Sequence, residues 1–322
     1  MQETIREMMN DDVLMRTIIP ILLLIGAGYL SRKLGVLRPG DERVLSAYVY
    51  YFALPALFFV NMAETDFTQE AFRFVLVGIV PVLIALAAHI IIYLTFKVAK
   101  ETLYLLIVST VFGSLAFFGI PFITFAFPGA QAEKLATLAS ASISLVSVAL
   151  SITVLELYRL EISSVLEGLK RVARRLSRNP LVASIFLGTL LSLIEVNIPI
   201  ALSTPLHMLG STTSTVAIFM LGVFLYGRKY ANVSKAFRLS LLRIVFLPTL
   251  AMLMALSSGL PDLERAILVL MHSMPVAVSM IVLSERYDFS KETIASLILI
   301  SSLGAGIYLN LWLYLLSLLQ SI

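Results

Sequence analysis

Long apolar stretches separated by short polar breaks are the main pattern of this chain. An α-helix needs about 20 predominantly apolar residues to cross a bilayer, so each stretch is predicted to form one membrane span. Ten spans are predicted in this way, at 13–31, 44–61, 72–96, 103–127, 135–158, 181–196, 206–226, 237–256, 266–283 and 294–319.

The composition agrees with a bundle that lies almost entirely in lipid. Of the 322 residues, 59% are apolar and 14% are charged, whereas a soluble domain has roughly 45–50% and 25%. The predicted class is therefore an all-α membrane protein, with its function inside the bundle. The chain has no cysteine, so disulfides and thiolate chemistry are excluded. We expect no metal site and no cofactor.

The basic residues divide unequally between alternate loops. Nineteen Lys and Arg residues, Arg243 among them, fall on one side and five on the other, which by the positive-inside rule makes the first side cytoplasmic. The basic residues are spread over several loops and do not form one patch, which argues against a nucleic-acid partner. We expect a multi-pass protein of the plasma or inner membrane with both termini outside the cytoplasm. The longest loop, 161–178, reads as an amphipathic helix on the anionic inner leaflet or as a solvated linker.

That loop also divides the chain into two halves of five predicted spans, residues 1–160 and 179–322. Because five is odd, the halves must run through the membrane in opposite directions. Inverted repeats of this kind are typical of secondary carriers. The predicted fold is thus ten membrane helices arranged as two inverted five-helix repeats.

Spans four and nine each contain a proline with a small residue nearby, in the sequences Gly119-Ile120-Pro121 and Ser273-Met274-Pro275. Proline removes one helical hydrogen bond and clashes with the preceding turn, so it frees the carbonyls of Phe117 and Met271. Simple kinks are one outcome. The other is a pair of broken helices whose second halves start near Pro121 and Pro275, so that their N-termini meet near the midplane and attract an anion.

His272 lies one turn before Pro275 and leaves two interpretations open. It could hydrogen-bond the anion or carry a coupled proton. It could equally be a packed histidine that is bonded to a freed carbonyl. The predicted substrate-binding residues at the two breaks are Gly119, Ile120, Pro121, His272, Ser273, Met274 and Pro275.

The order and spacing of several motifs resemble the auxin efflux carrier family, within the bile acid/auxin carrier superfamily. The motifs are Tyr51-Phe52-Ala53-Leu54-Pro55, Phe118-Gly119-Ile120-Pro121, Asn179-Pro180, Met274-Pro275 and Ser284-Glu285-Arg286-Tyr287. The resemblance implies a scaffold of spans one, two, six and seven, and a transport domain of spans three to five and eight to ten. It also implies a homodimer and elevator-type movement.

In that family an asparagine often stands seven residues before the span-four proline and helps to hold the substrate carboxylate. Here the matching residue is Ser114, whose hydroxyl offers one donor where an amide offers two. The resemblance therefore adds Ser114 to the predicted substrate-binding residues and leaves room for a different substrate.

Acidic residues are confined to the ends of the predicted spans, with Glu156 and Glu195 close to interfaces. This placement argues against carboxylate-based cation exchange. The chain has no HExxH or GxSG motif, so we expect no enzyme activity. The predicted function is secondary transport of a small organic anion, such as a carboxylate, an auxin-like molecule or a dicarboxylate. An anion channel or a sodium-coupled organic-solute symporter is the alternative, and coupling to Na⁺ or H⁺ stays open.

Overall fold

A computed structural model describes residues 12–65, 68–159, 170, 173–174, 177–227 and 230–320, and within these ranges the chain forms helices without β-strands. Most of the predicted 161–178 linker lies outside the described residues, as does the chain before Asp12. The helices of the first half are α1 (Asp12–Lys33), α2 (Asp41–Ala63), α3 (Gln69–Phe96), α4 (Lys100–Val111), α5 (Leu115–Ala126) and α6 (Ala130–Arg159).

The second half also contains six helices within the described residues. Its helices are α7 (Pro180–Leu193), α8 (Ile200–Leu225), α9 (Val233–Ser257), α10 (Asp262–Ser273), α11 (Met280–Tyr287) and α12 (Lys291–Gln320). Predicted span four thus corresponds to α4 and α5, and span nine to α10 and α11. Among the described residues, six helices are long and apolar enough to cross a membrane: α2, α3, α6, α8, α9 and α12. The chain is therefore an all-helical, multi-pass membrane protein.

Three of the internal prolines follow a π-helical turn. The turns are Val49–Ala53 in α2, Leu115–Gly119 at the start of α5 and Leu242–Phe246 in α9, and each is followed by a proline at one of the first two positions of the next α-helical segment. An N–H in the first turn of an α-helix has no carbonyl partner within that helix, so proline, which lacks the N–H, loses no hydrogen bond there. The wider π turn lets the helix continue past the proline, so these prolines do not break their helices.

Helices α1, α2, α7 and α8 pack closely through glycines. An ideal Cβ built on Gly28 of α1 would lie 1.9 Å from the carbonyl oxygen of Phe219 in α8, and one built on Gly222 of α8 would lie 1.9 Å from that of Ile25 in α1. The two backbones therefore touch at this crossing, as small residues permit in membrane helices. Gly210 of α8 packs in the same way against Leu57 of α2.

Gly28→Ala is expected to loosen the α1–α8 crossing and to lower stability by about 1–3 kcal/mol, the usual cost of overpacking. The atom that the new methyl group would meet is a backbone oxygen, which cannot rotate away as a side chain can. Thermal melting of the detergent-purified variant measures this effect. Gly26→Ala on the same helix is the matched control, because a Cβ there meets nothing within 4 Å. Equal melting temperatures for the two variants would contradict the proposed backbone contact.

Candidate functional site

The interruptions of spans four and nine meet in the interior and pair with each other. Helix α4 ends at Val111 and α10 ends at Ser273, and the chain after each is not helical. The Ser114 N–H donates to the Pro275 carbonyl at 2.8 Å, and the Ala277 N–H donates to the Phe112 carbonyl at 3.0 Å. Gly113 and Val276 thereby form an isolated antiparallel bridge. We call this paired region, residues 112–114 and 274–279, the crossover.

The helices after the crossover start away from the prolines that predicted the breaks. Helix α5 begins with its π turn at Leu115, well before Pro121, and α11 begins at Met280, after Pro275. The prediction that the half-helices start near Pro121 and Pro275 is therefore wrong in position. The π turn accommodates Pro121, while Pro275 lies in the non-helical segment between α10 and α11, where its carbonyl accepts the Ser114 N–H.

Both new helix starts lie beside a cavity of about 90 Å³. In α5 the first amide with an acceptor inside the helix is that of Phe118, which donates to the Ser114 carbonyl at 3.0 Å. The N–H groups of Leu115, Ala116 and Phe117 therefore have no carbonyl one turn back in their own helix. Such a helix start carries about half a positive charge.

The cavity has a few polar groups in a largely apolar wall. Its polar side chains are Ser114, Ser144, Asn179 and Ser279, and none of its lining residues is charged. Its apolar walls come from two groups of helices. Leu54, Phe58, Leu181 and Ile185 belong to α2 and α7, whereas Phe112, Leu115, Phe117, Leu145 and Ala277 belong to the crossover, α5 and α6.

Of the eight predicted site residues, Ser114 lines the cavity, and the other seven lie around the crossover behind it. Gly119 faces α10, because a Cβ there would lie 2.8 Å from the sulfur of Met271 in that helix. Ile120 and Pro121 are buried in α5 beside it. Ser273 donates its hydroxyl hydrogen bond to the Leu270 carbonyl. The Met274 carbonyl accepts a hydrogen bond from Nε of Arg243 in α9, and the Pro275 carbonyl accepts one from the Ser114 N–H within the crossover.

His272 is fully buried and points away from the cavity. Its Nε2 lies 2.8 Å from the Gly78 carbonyl of α3, and a carbonyl only accepts, so Nε2 carries the hydrogen. Of the two interpretations of His272, a packed histidine bonded to a backbone carbonyl fits this position. The Gly78 carbonyl, however, is not one that a proline frees. Its Nδ1 has no hydrogen-bond partner among the described residues.

A charged residue at the crossover that sequence reasoning missed is Arg243, in the π turn of α9. Its side chain is fully buried, and its guanidinium donates to four carbonyls at the ends of α4 and α10. Nε lies 2.8 Å from the Met274 oxygen, and Nη2 lies 3.3 Å from the Met271 oxygen. Nη1 lies 3.0 Å from the Thr110 oxygen and 3.3 Å from the Val111 oxygen.

The charge count had placed Arg243 in a cytoplasmic loop, and this assignment is wrong. A signal was available, because Arg243 falls inside the predicted span 237–256, where a charged residue is rare and needs a buried partner. The Met271 carbonyl, which Pro275 was predicted to free, is one of the four acceptors. Glu156, predicted to lie near an interface, is three residues from the end of α6, where its carboxylate is buried and accepts a hydrogen bond from the Tyr287 hydroxyl at 2.6 Å.

An all-helical membrane protein with interrupted helices that pair in its interior beside a cavity has the features of a membrane transporter. The model of the membrane transport protein family matches residues 13–313. The chain belongs to this family, and the predicted relationship to the auxin efflux carriers is thereby confirmed.

The relatives are transporters as well. The chain is similar to the "Uncharacterized transporter YfdV" of Escherichia coli (strain K12), with 24% identity over 92% of this chain and 96% of the relative. It is also 24% identical to the "Uncharacterized transporter MJ1031" of Methanocaldococcus jannaschii, over 92% and 97%. A "Putative malonate transporter" of Rhizobium meliloti is 26% identical over 89% of this chain and 90% of the relative.

Proposed function

We propose that this protein is a secondary carrier for a small organic anion, and that the anion binds in the cavity beside the crossover. The observation that carries the proposal is the meeting of two helix starts, those of α5 and α11, at one cavity with Ser114 and Ser279 in its wall. Backbone N–H groups at helix starts bind anions. The malonate named for the Rhizobium relative belongs to the same chemical class.

The cavity wall favours an organic anion over an inorganic cation. No carboxylate lines it, so a cation would find only hydroxyl, amide and backbone groups. Its apolar residues fit the hydrocarbon part of a carboxylate, while the helix starts fit the charged end. Enzyme activity is not part of the proposal, because the family and the relatives are transporters.

We propose an elevator-type movement in a ten-span, inverted-repeat fold. Helices α1, α2, α7 and α8 form the scaffold, and α3–α6 with α9–α12 form the transport domain. The glycine contacts between α1 and α8 suit a rigid scaffold. The cavity is lined by α2 and α7 on one side and by the crossover, α5 and α6 on the other. A ligand there would touch both domains, as alternating access requires. We also propose a homodimer through α2 and α8.

The proposed topology places both termini outside the cytoplasm and the 161–178 loop inside it. Reporter fusions after residue 322 and within the loop at residue 168 should therefore report opposite sides of the membrane. The basis is the unequal distribution of Lys and Arg, which stays eighteen to five when the buried Arg243 is removed from the nineteen. The same side for both fusions would rule out ten spans.

A thermal-shift screen of the detergent-purified protein tests the cargo. Malonate, succinate, acetate and indole-3-acetate should be compared with malonamide, a neutral analogue, and each should be measured with and without sodium. A ligand that binds the folded state alone raises the melting temperature with concentration. Stabilisation by carboxylates and not by malonamide is expected. Stabilisation only in the presence of sodium would favour the symporter alternative, and no stabilisation by any carboxylate would contradict an organic-anion cargo.

A further inference from the structure

The crossover brings four helix ends together, and their charges oppose one another. The starts of α5 and α11 each carry about +0.5 charge, and the ends of α4 and α10 each carry about −0.5. All four lie within a few residues of the bridge between Gly113 and Val276. The two positive and two negative ends nearly cancel. Helix dipoles alone therefore give an anion little reason to enter this cavity.

Arg243 changes that balance because it lies on the negative ends only. Its four hydrogen bonds go to carbonyls of Thr110, Val111, Met271 and Met274, which close α4 and α10. No described acidic side chain forms an ion pair with it. Its full positive charge thus compensates the two half-charges of the helix ends and leaves the two helix starts uncompensated.

The surroundings of Arg243 hold the guanidinium in this position. The Trp312 indole N–H donates to the Ile244 carbonyl at 2.8 Å, which fixes the π turn that carries the arginine. Gly113 leaves space for the guanidinium, because a Cβ there would lie 1.7 Å from Nη2. Gly113 also lines the cavity. Gly113 therefore borders the cavity and also lies against the arginine.

We infer that Arg243 is a positioning residue that gives the cavity its preference for anions: it neutralises the carbonyl ends of α4 and α10, so that the N-terminal ends of α5 and α11 decide the sign of the potential. This inference rests on the proposed function, since it concerns the same cavity. It differs from a purely structural cap, which would hold the broken helices together without changing the charge preference.

The potential in the cavity can be measured without knowing the cargo. The chain has no cysteine, so Ser279→Cys introduces a single thiol at an exposed position in the cavity wall. We would measure its reaction rates with methanethiosulfonate reagents bearing a negative sulfonate, a positive trimethylammonium or a neutral methyl group. The rate with each charged reagent is divided by the rate with the neutral one, which cancels changes in thiol reactivity. The ratio of the negative to the positive value then reports the local potential.

With Arg243 present, the ratio at residue 279 should exceed that of free cysteine. Arg243→Gln should lower the ratio about tenfold or more, because charges interact strongly inside a protein. Arg243→Lys keeps the charge without the planar fork and should stay within about threefold of the parent. The control is Ser257→Cys, an exposed position in α9, the helix that also carries Arg243. By helical rise it lies about 20 Å from Arg243. Its ratio should not change.

Three results would overturn the inference. One is an unchanged ratio in a folded Arg243→Gln variant. Another is a fall in Arg243→Lys as large as in Arg243→Gln, since geometry rather than charge would then be responsible. The third is a parent ratio at residue 279 below that of free cysteine, which decides the matter even where Arg243→Gln does not fold. These reactions need no substrate, so their outcome is independent of the carboxylate screen that tests the proposed function.

Discussion

Ser114→Asp is expected to abolish carboxylate uptake, whereas Ser114→Ala should only weaken it. Ser114 is buried, lines the cavity and immediately precedes the free N–H groups of α5. A carboxylate fixed there would occupy the helix start itself and repel the cargo. Loss of the hydroxyl removes at most one hydrogen bond, or about 0.5–1.5 kcal/mol. Initial uptake rates in proteoliposomes with matched protein content measure both variants.

Ser114→Asn is the matched control, because asparagine has the shape of aspartate without its charge. Its amide supplies two donors, so uptake should equal or exceed that of the unmodified protein. If Ser114→Asp transports a carboxylate as well as Ser114→Asn does, the anion does not bind at the start of α5.

Gly113→Ala should reduce uptake by at least about tenfold and lower the melting temperature. The new methyl carbon would lie 1.7 Å from Nη2 and 2.2 Å from Cζ of Arg243. A flexible side chain could normally move aside, but this guanidinium is fully buried and bonded to four carbonyls. Each bond that it loses leaves a charged donor or a carbonyl unpaired and costs about 1.5–3 kcal/mol. Uptake and thermal melting of the same preparation test this expectation.

Gly304→Ala in α12 provides the comparison, since a Cβ there meets only the Tyr308 ring at an ordinary distance of 3.7 Å. It should leave both uptake and melting temperature close to those of the unmodified protein. Wild-type behaviour of Gly113→Ala would mean that the guanidinium has room to move, and that its position beside the cavity does not matter for transport.

The sequence predicts much of this fold because the bilayer imposes a simple length rule. Helices α2, α3, α6, α8, α9 and α12 follow directly from the apolar stretches. The interruption of spans four and nine also followed from the sequence. The position of each break did not follow from the sequence. A proline shows that one hydrogen bond is missing, but it does not show how the chain accommodates the loss. In α5 the π turn Leu115–Gly119 accommodates Pro121, and the helix is interrupted before this turn, at residues 112–114.

Arg243 could not be placed from the sequence for a different reason. Its position inside the predicted span 237–256 marked it as unusual, but the sequence does not show whether such an arginine snorkels to the interface or turns inward. Its partners, Thr110 and Met271, lie far away along the chain in separate helices. The site therefore depends on tertiary contacts that no single motif encodes. Ser114 was found because it lies at a position that the resemblance marks.

Counterflow in proteoliposomes tests the central proposal most directly. Vesicles containing the purified protein would be loaded with unlabelled malonate and diluted into a trace of labelled malonate, beside vesicles containing Ser114→Asp. A carrier that binds the anion at the crossover should accumulate label transiently above the outside concentration, and the Ser114→Asp vesicles should not. Equilibration of label without transient accumulation would indicate a channel. Equal accumulation by the Ser114→Asp vesicles would contradict anion binding at the crossover.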